Sequence, residues 1–230
     1  MPIISHLADG VLELRLNQPQ RLNALTLAMA QALLAAVQSA VADSSVRVIL
    51  LTGSGRAFCA GKDRDDPPTP VFVQTLQTLA LTLMQCPQPV VSAVQGWVVG
   101  AGLELMLNTD LAIAAHSARF QLPEVQVGLL GTGGIASLLP RCVGLQKAKG
   151  MLMLGQPFSA PEAERWGLLW AVVDDAELST TSRQLTAQLA RSDARVLATM
   201  KRLLHSESLG NIDLALDREA AAHRLLTPGL

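Results

Sequence analysis

A chain of 230 residues with a formal net charge of −1 can bury one real core, with room for a small appendage. Lys and Arg never run beyond two together, so the charge pattern gives no case for nucleic acid or an anionic membrane surface. Half the residues are apolar, yet only 3% are aromatic and tyrosine is absent, so the core must be aliphatic.

Residues 3–17 read as two short strands around the turn Ala8-Asp9-Gly10, with Val11, Leu12, Leu14 and Leu16 giving an apolar face. Thr26 is placed to cap a helix over 26–41, apolar at Leu27, Ala30, Leu33, Leu34, Val37 and Val41. The β-branched run 46–51, closed by Thr52-Gly53-Ser54-Gly55, reads as a buried strand. A glycine-bearing loop follows at 58–63, then a charged, proline-rich segment at 65–70 expected to be a mobile surface loop. A helix over 71–85 ends before Pro87 and Pro89. A strand at 90–95 leads into a loop over 96–110 that feeds a short apolar helix. Strands are expected at 111–115 and 120–122. Gly131 to Gly134 open a helix that Pro140 is expected to limit. Beyond 145 the pattern is mostly helical: Ser159-Ala160-Pro161-Glu162 is a good helix start, 170–173 a strand, and three helical segments close the chain. Strands alternating with helices indicate an α/β chain with crossover connections. Strand signals thin out over 145–155, and the tail is helical from about residue 176.

Cys59, Cys86 and Cys142 are odd in number and far apart, with no C-x-x-C and no His cluster. That argues against a disulfide framework or a structural zinc site and fits a reducing compartment. Neither a signal peptide nor a membrane span is read from the chain, which makes the cytoplasm the expected location.

Two loops carry the candidate chemistry. The first, Gly55-Arg56-Ala57-Phe58-Cys59-Ala60-Gly61-Lys62-Asp63, follows a buried strand, and Gly61 lets the backbone turn so that the Lys62 N–H points into a cleft. The second, Gly96-Trp97-Val98-Val99-Gly100-Ala101-Gly102-Leu103-Glu104-Leu105, joins a strand to a helix. It places the Ala101 N–H in the first helical turn, where donors lack an intrahelical partner. Two such N–H groups aimed at one point make an oxyanion hole. Taken alone, a glycine loop after a strand is more often plain packing. Glu104 follows Ala101 by three residues, and helical side chains lean toward the N-terminus, which returns its carboxylate toward the same point. It could equally just complement the helix dipole. Glu124, after Pro123, reads by itself as a surface glutamate. An apolar setting would raise its pKa, as a carboxyl proton donor needs.

Together the segments "GRAFCAGKD", "GWVVGAGLEL" and "FQLPEVQVGLLGTGG" resemble the crotonase (enoyl-CoA hydratase/isomerase) superfamily in order and spacing. The similarity runs from "LNQPQRLNALT" to "SAPEAERWGLLWAVV" and into the terminal helices. It implies a crotonase-like spiral of ββα units with a helical C-terminal region. The division it suggests is a core over 1–175 and a trimerisation region over 176–230, shorter than in typical members. Assembly as a homotrimer or a dimer of trimers is implied too. So are oxyanion donors at Lys62 and Ala101, the catalytic pair Glu104 and Glu124, and substrate contacts at Arg21, Leu22, Ala24, Ala60, Gly61, Asp63 and Gly100. Hydratases of the superfamily carry both glutamates, and a spacing of 124 − 104 = 20 residues matches theirs. The implied reaction is hydration of a 2-enoyl-CoA without metal or other cofactor, coenzyme A being part of the substrate. The alternatives are a 3-enoyl-CoA isomerase using Glu124 alone, another acyl-CoA enzyme of this type, or a non-catalytic member that binds acyl-CoA or RNA. The short proline-rich segment after Asp63 puts in doubt the helical cover over the acyl pocket, implying a more open site. The Lys62 side chain could reach a coenzyme A phosphate or extend into solvent. Cys59 reads as a structural thiol, Asp110 as a structural residue between helix and strand, and Asp63 as a brace of the first loop. His6, His116, His205 and His223 form no recognisable triad or metal set.

Overall fold

The computed structural model describes residues 1–66 and 69–227. In chain order, β1 (Ile3–Ala8) and β2 (Val11–Leu16) form an antiparallel hairpin. Its turn residues Asp9 and Gly10 both have positive φ, the hand that matches strand twist. Thr26 caps α1 (Leu27–Ala42), its side chain accepting the Met29 N–H at 3.1 Å. β3 (Val48–Gly53) is buried at its first four positions, as a strand covered on both faces must be. α2 (Pro70–Gln85) starts at the Thr69 cap with Pro70 in its first turn and stops at Cys86, ahead of Pro87.

β4 (Val90–Val94), β5 (Trp97–Val99) and α3 (Ala101–Leu107) form one strand–strand–helix unit. The next consists of β6 (Leu111–Ala115), β7 (Arg119–Gln121) and α4 (Ile135–Val143). α5 (Leu145–Leu154), β8 (Phe158–Ser159), α6 (Ala160–Arg165) and β9 (Ala171–Val173) follow. Ser159 and Glu162 form a full capping box at the start of α6. α7 (Leu178–Arg191), α8 (Ala194–Leu209) and α9 (Ile212–Leu226) close the described chain. No described helix is long and apolar enough to cross a membrane.

The main sheet has the order β1-β2-β3-β4-β6-β9, parallel except for the first hairpin, and a second sheet has the order β5-β7-β8. The chain steps from the main sheet to the second at Gly96. Its φ is 57°, and a Cβ there would lie 1.9 Å from the Arg56 carbonyl oxygen, so only glycine fits. α1 and α2 share the large aliphatic core with one face of the main sheet. α7 covers Val48, Leu50, Val91 and Ala93 on the other.

Three expectations need correction. Pro140 does not limit α4, which runs through it to Val143. The proline forgoes one bond, to the Ala136 carbonyl, and Arg141 ties the helix down by donating to the Ser137 carbonyl at 2.6 Å and to the Leu209 carbonyl at 3.0 Å. β5 and β8 are strands of three and two residues, too short to show alternation, within stretches read as loop and helix start. Helical cover beside the first loop is present, because α2 begins directly after the proline-rich segment. Of that segment, 65–70, residues 67 and 68 lie outside the described residues. Asp66 accepts the Leu27 N–H at the start of α1, where a carboxylate is favoured.

Asn23 shows how firmly the first turn is pinned. It is buried with a φ of 54°. Its amide donates to the Ser54 and Ala57 carbonyls at 2.9 and 2.8 Å, and its oxygen accepts the Gln18 N–H at 2.8 Å. Asn23→Ala strips partners from three main-chain groups and leaves a non-glycine residue in the left-handed region without its side-chain bonds. A loss of about 3 kcal/mol in stability is expected, read from urea unfolding of the two proteins.

Candidate active site

The two loops singled out in the sequence lie side by side. An isolated parallel bridge joins Cys59 to Val98, with Cys59 N–H donating to the Trp97 carbonyl at 3.1 Å and Val99 N–H to the Cys59 carbonyl at 2.9 Å. A second bridge pairs Leu25 with Lys62, using the Leu25 N–H on Gly61 and the Asp63 N–H on Leu25. In a parallel bridge of this kind the Lys62 N–H itself points the other way. Neither the Lys62 nor the Ala101 N–H has an acceptor among the described residues. Both residues line a cleft of about 500 Å³, together with Ala60, Gly61, Asp63, Gly100, Glu104 and Glu124. Phe72, Val73 and Leu76 of α2 form its apolar wall.

Glu104 is buried on α3, and its Oε1 accepts the Gly133 N–H at 3.0 Å. Burial pushes its pKa up to about 8, helped by the charges of Glu124 and Glu219, while the Gly133 and Thr132 amides pull it down. Glu124 sits in a single 3-10 turn after β7, Glu124–Val127. Its Oε2 is buried with no hydrogen-bond partner among the described residues, and desolvation raises its pKa as well. The backbone of Gly100 makes room for this carboxyl, since a Cβ there would come within 2.6 Å of Oε1. The cleft therefore holds two carboxyls that both resist ionisation, facing two unengaged amides.

This arrangement sits in a recognisable frame. The family model for enoyl-CoA hydratase/isomerase matches residues 6–224. The chain belongs to that family. It is 37% identical over 233 residues to the 1,2-epoxyphenylacetyl-CoA isomerase of Escherichia coli, covering 97% of this chain and 89% of that one. To a probable enoyl-CoA hydratase of Rhodobacter capsulatus it is 36% identical over 206 residues, covering 87% and 79%. A crystal structure of an enoyl-CoA hydratase from Mycobacterium avium subsp. paratuberculosis superposes with a TM-score of 0.95 at 30% identity, over 100% of this chain and 95% of that one. The crotonase-like spiral of ββα units is thus its fold.

Within this enoyl-CoA hydratase/isomerase site, the expected contact residues divide into two groups. Ala60, Gly61, Asp63 and Gly100 line the cleft. Arg21, Leu22 and Ala24 are not among its lining residues and form the adjacent turn, zipped to the first loop by the Ala60 N–H on the Leu22 carbonyl at 3.0 Å. Arg21 pairs with buried Asp63 at 2.7 Å and with Asp65, so Asp63 braces the loop. The Lys62 ammonium turns back on its own loop. It donates to the Asp63 carbonyl at 2.9 Å and to the Asp66 carbonyl, and lies 5.2 Å from the Phe72 ring centre. The Cys59 thiol is buried and pushed up to about 12 by desolvation, which suits packing and not nucleophilic attack. Asp110 accepts the Val90 N–H at 2.7 Å and pairs with Lys201 at 2.8 Å.

Near the cleft, Glu219 of α9 escaped the sequence reading, and His223 of the same helix was weighed there only as a member of a triad or metal set. Glu219 accepts amides at the start of α4, and His223 lines the cleft with its Nδ1 3.3 Å from the Leu130 carbonyl oxygen. The legible signal was their spacing: Leu216, Glu219, Ala220 and His223 all fall on the buried stripe of one helix.

A carboxyl whose folded pKa stands above its unfolded value stabilises the fold only while protonated. For Glu104 that contribution is complete below about pH 4.5 and is lost as the pH rises through about 8. Thermal unfolding from pH 5 to 9 should therefore show a steeper decline for the native protein than for Glu104→Gln.

Proposed function

We propose that this protein is an enoyl-CoA hydratase, adding water reversibly to a 2-enoyl-CoA to give the 3-hydroxyacyl-CoA. The observation that carries this reading is the pair of buried carboxyls, Glu104 and Glu124, lining one cleft with the free Lys62 and Ala101 amides. In this mechanism the thioester carbonyl accepts both N–H groups, which stabilise enolate character as it develops. Glu104 as carboxylate takes a proton from water while the water oxygen bonds to the β-carbon. Glu124 as carboxyl delivers its proton to the α-carbon, and dehydration runs the same steps backward. The chemistry draws on no resident cofactor, coenzyme A serving as the handle of the substrate, held beside Arg21, Leu22, Ala24 and the first loop. No nucleic acid or membrane partner enters this reading.

One proton shared by the pair serves both directions. Burial favours the protonated form of Glu104, whereas hydration needs its carboxylate with the proton on Glu124. Raising the pH past about 8 strips that proton, and hydration should fall along an alkaline limb near that value in a kcat/KM profile.

Glu104→Gln and Glu124→Gln should each lower hydration of a short 2-enoyl-CoA by at least ~10², with little change in melting temperature at about pH 5. Ala101→Pro deletes one donor and should abolish turnover, while Lys62→Ala keeps its main-chain N–H and should retain kcat. The upward shift of the Glu104 pKa, which disfavours its use as a base, favours a second reading, isomerisation of a 3-enoyl-CoA with Glu124 alone as proton shuttle. Full activity of Glu104→Gln on a 3-enoyl-CoA, with none on a 2-enoyl-CoA, would establish it instead. The proposed working unit is a homotrimer or a dimer of trimers. Trp97, Leu145, Met153 and Trp170 are exposed apolar side chains available to such contacts. Light scattering on the purified protein measures this, and a clean monomer would refute it.

A further inference from the structure

Glu104 and Glu124 line the cleft, while Glu219 lies behind it, close enough to oppose the charge of Glu104, and has no part in the proposed chemistry. Its Oε2 accepts the Gly134 N–H at 2.8 Å and its Oε1 the Ala136 N–H at 2.7 Å. Both donors belong to the start of α4, where main-chain N–H groups lack helical partners. One residue earlier, the Gly133 N–H donates to Glu104. The same turn also presses on Glu104 sterically. A Cβ on Gly131 would come within 2.3 Å of Glu104 Oε1, and one on Gly133 within 3.2 Å of its Cβ. Two carboxyls from distant parts of the chain thus grip successive amides of one glycine turn.

We propose that Glu219 is a positioning residue of this active site, fixing from the C-terminal helix the turn 131–136 that holds Glu104. Gly131, Gly133 and Gly134 of the turn have no side chain to anchor them, so the path at Gly133 and Gly134 leans on what their main-chain groups are bonded to. Release of Gly134 and Ala136 leaves Gly133 tethered only through its carbonyl, which accepts from Asn108 Nδ2 at 3.1 Å, and loosens the amide and the wall that Glu104 rests against. The kinetic consequence rests on the hydratase reading; the structural one does not.

A second effect follows from charge. Glu219 is itself raised to about 7 by burial, offset by its two amides, and as a carboxylate it opposes ionisation of Glu104. The other groups facing this cluster are Glu124 from the turn after β7 and His223 one helical turn along α9. Lys62, across the cleft, spends its ammonium on its own loop. α2, which packs against α9, has no titratable side chain. Arg141 of α4 is directed to Ser137 and the end of α8. Glu219 therefore helps to decide which carboxyl holds the shared proton.

The test uses full-length protein carrying 13C at the glutamate carboxyls. The Glu104 resonance is identified by its loss in Glu104→Gln. In Glu219→Gln that resonance should titrate at lower pH than in the native protein, and hydration of a 2-enoyl-CoA should lose kcat on the order of 10-fold with KM little changed. Glu219→Asp keeps the charge but falls one methylene short of the two amides. It should leave the Glu104 titration at or above its native position, since weakening of the Gly133 hydrogen bond raises it, and still lose kcat. An unmoved Glu104 titration in Glu219→Gln, or native kcat in a folded Glu219→Asp, overturns the proposal. Should the native protein hydrate no 2-enoyl-CoA, the hydratase reading fails, while the carboxyl titration still decides the role of Glu219.

Discussion

Two main-chain hydrogen bonds hold Cys59 against β5, and the geometry of the cleft depends on them. They set the distance between the loop that presents the Lys62 amide and the loop that presents the Ala101 amide. The approach is close enough that a Cβ on Gly102 would lie 2.6 Å from the Cys59 carbonyl oxygen and 2.9 Å from its sulfur. Small residues at this junction are therefore a condition of the site, which explains why a chain so rich in Ala and Gly can bring two backbones together. The turn before α1, pinned by Asn23 and zipped to Gly61 and Asp63 through Leu25, supports the first loop from behind. β7 supports the second, with the Gln121 carbonyl accepting the Gly100 N–H at 2.9 Å.

Buried charge is handled in two different ways within the same core. Asp110 is ion-paired with Lys201, whose ammonium also donates to the Leu83 and Gln88 carbonyls at 2.8 and 3.2 Å. That cation is saturated with acceptors, so the pair is inert and ties α8 to the strand edge. Around Glu104 no cation among the described residues contributes, and its neighbours are two further carboxyls. A carboxyl in that position cannot be neutralised by pairing, so it keeps a proton. A paired carboxylate and an unpaired carboxyl of raised pKa are thus separated in this fold by one lysine.

Much of this was legible in the sequence, for identifiable reasons. The Thr26 cap, the strand at 111–115 and the capping box at Ser159 were legible because each depends on residues adjacent in sequence. Ala101 and Glu104 share a single helical turn, and their relation followed from helix geometry alone. The contributions that escaped notice arise from pairing between distant segments. β5 is a strand only because β7 lies beside it, and the Thr132–Gly133 amides matter only because α3 faces them. Glu219 was overlooked, and His223 placed near no site, because a helical tail invites reading by its apolar stripe, and a polar residue on that stripe looks like noise. The Lys62 side chain turned in a direction not anticipated, since the carbonyls that bind it belong to the loop that follows.

The location of the proton gives the empty site a direction. Glu104 lies deeper than Glu124 and is opposed by two like charges, which favours its protonated form. In the proposed chemistry that form is the one that follows hydration and precedes dehydration. Glu104 would then protonate a departing hydroxyl, and Glu124 would remove the α-proton. An incoming enoyl thioester meets the opposite need, a carboxylate at Glu104 able to activate water. Water between the two carboxyls lowers the cost of ionising Glu104, because it supplies the hydration that the dry cleft withholds. The nucleophile thus also helps to move the proton to Glu124, where the α-carbon requires it.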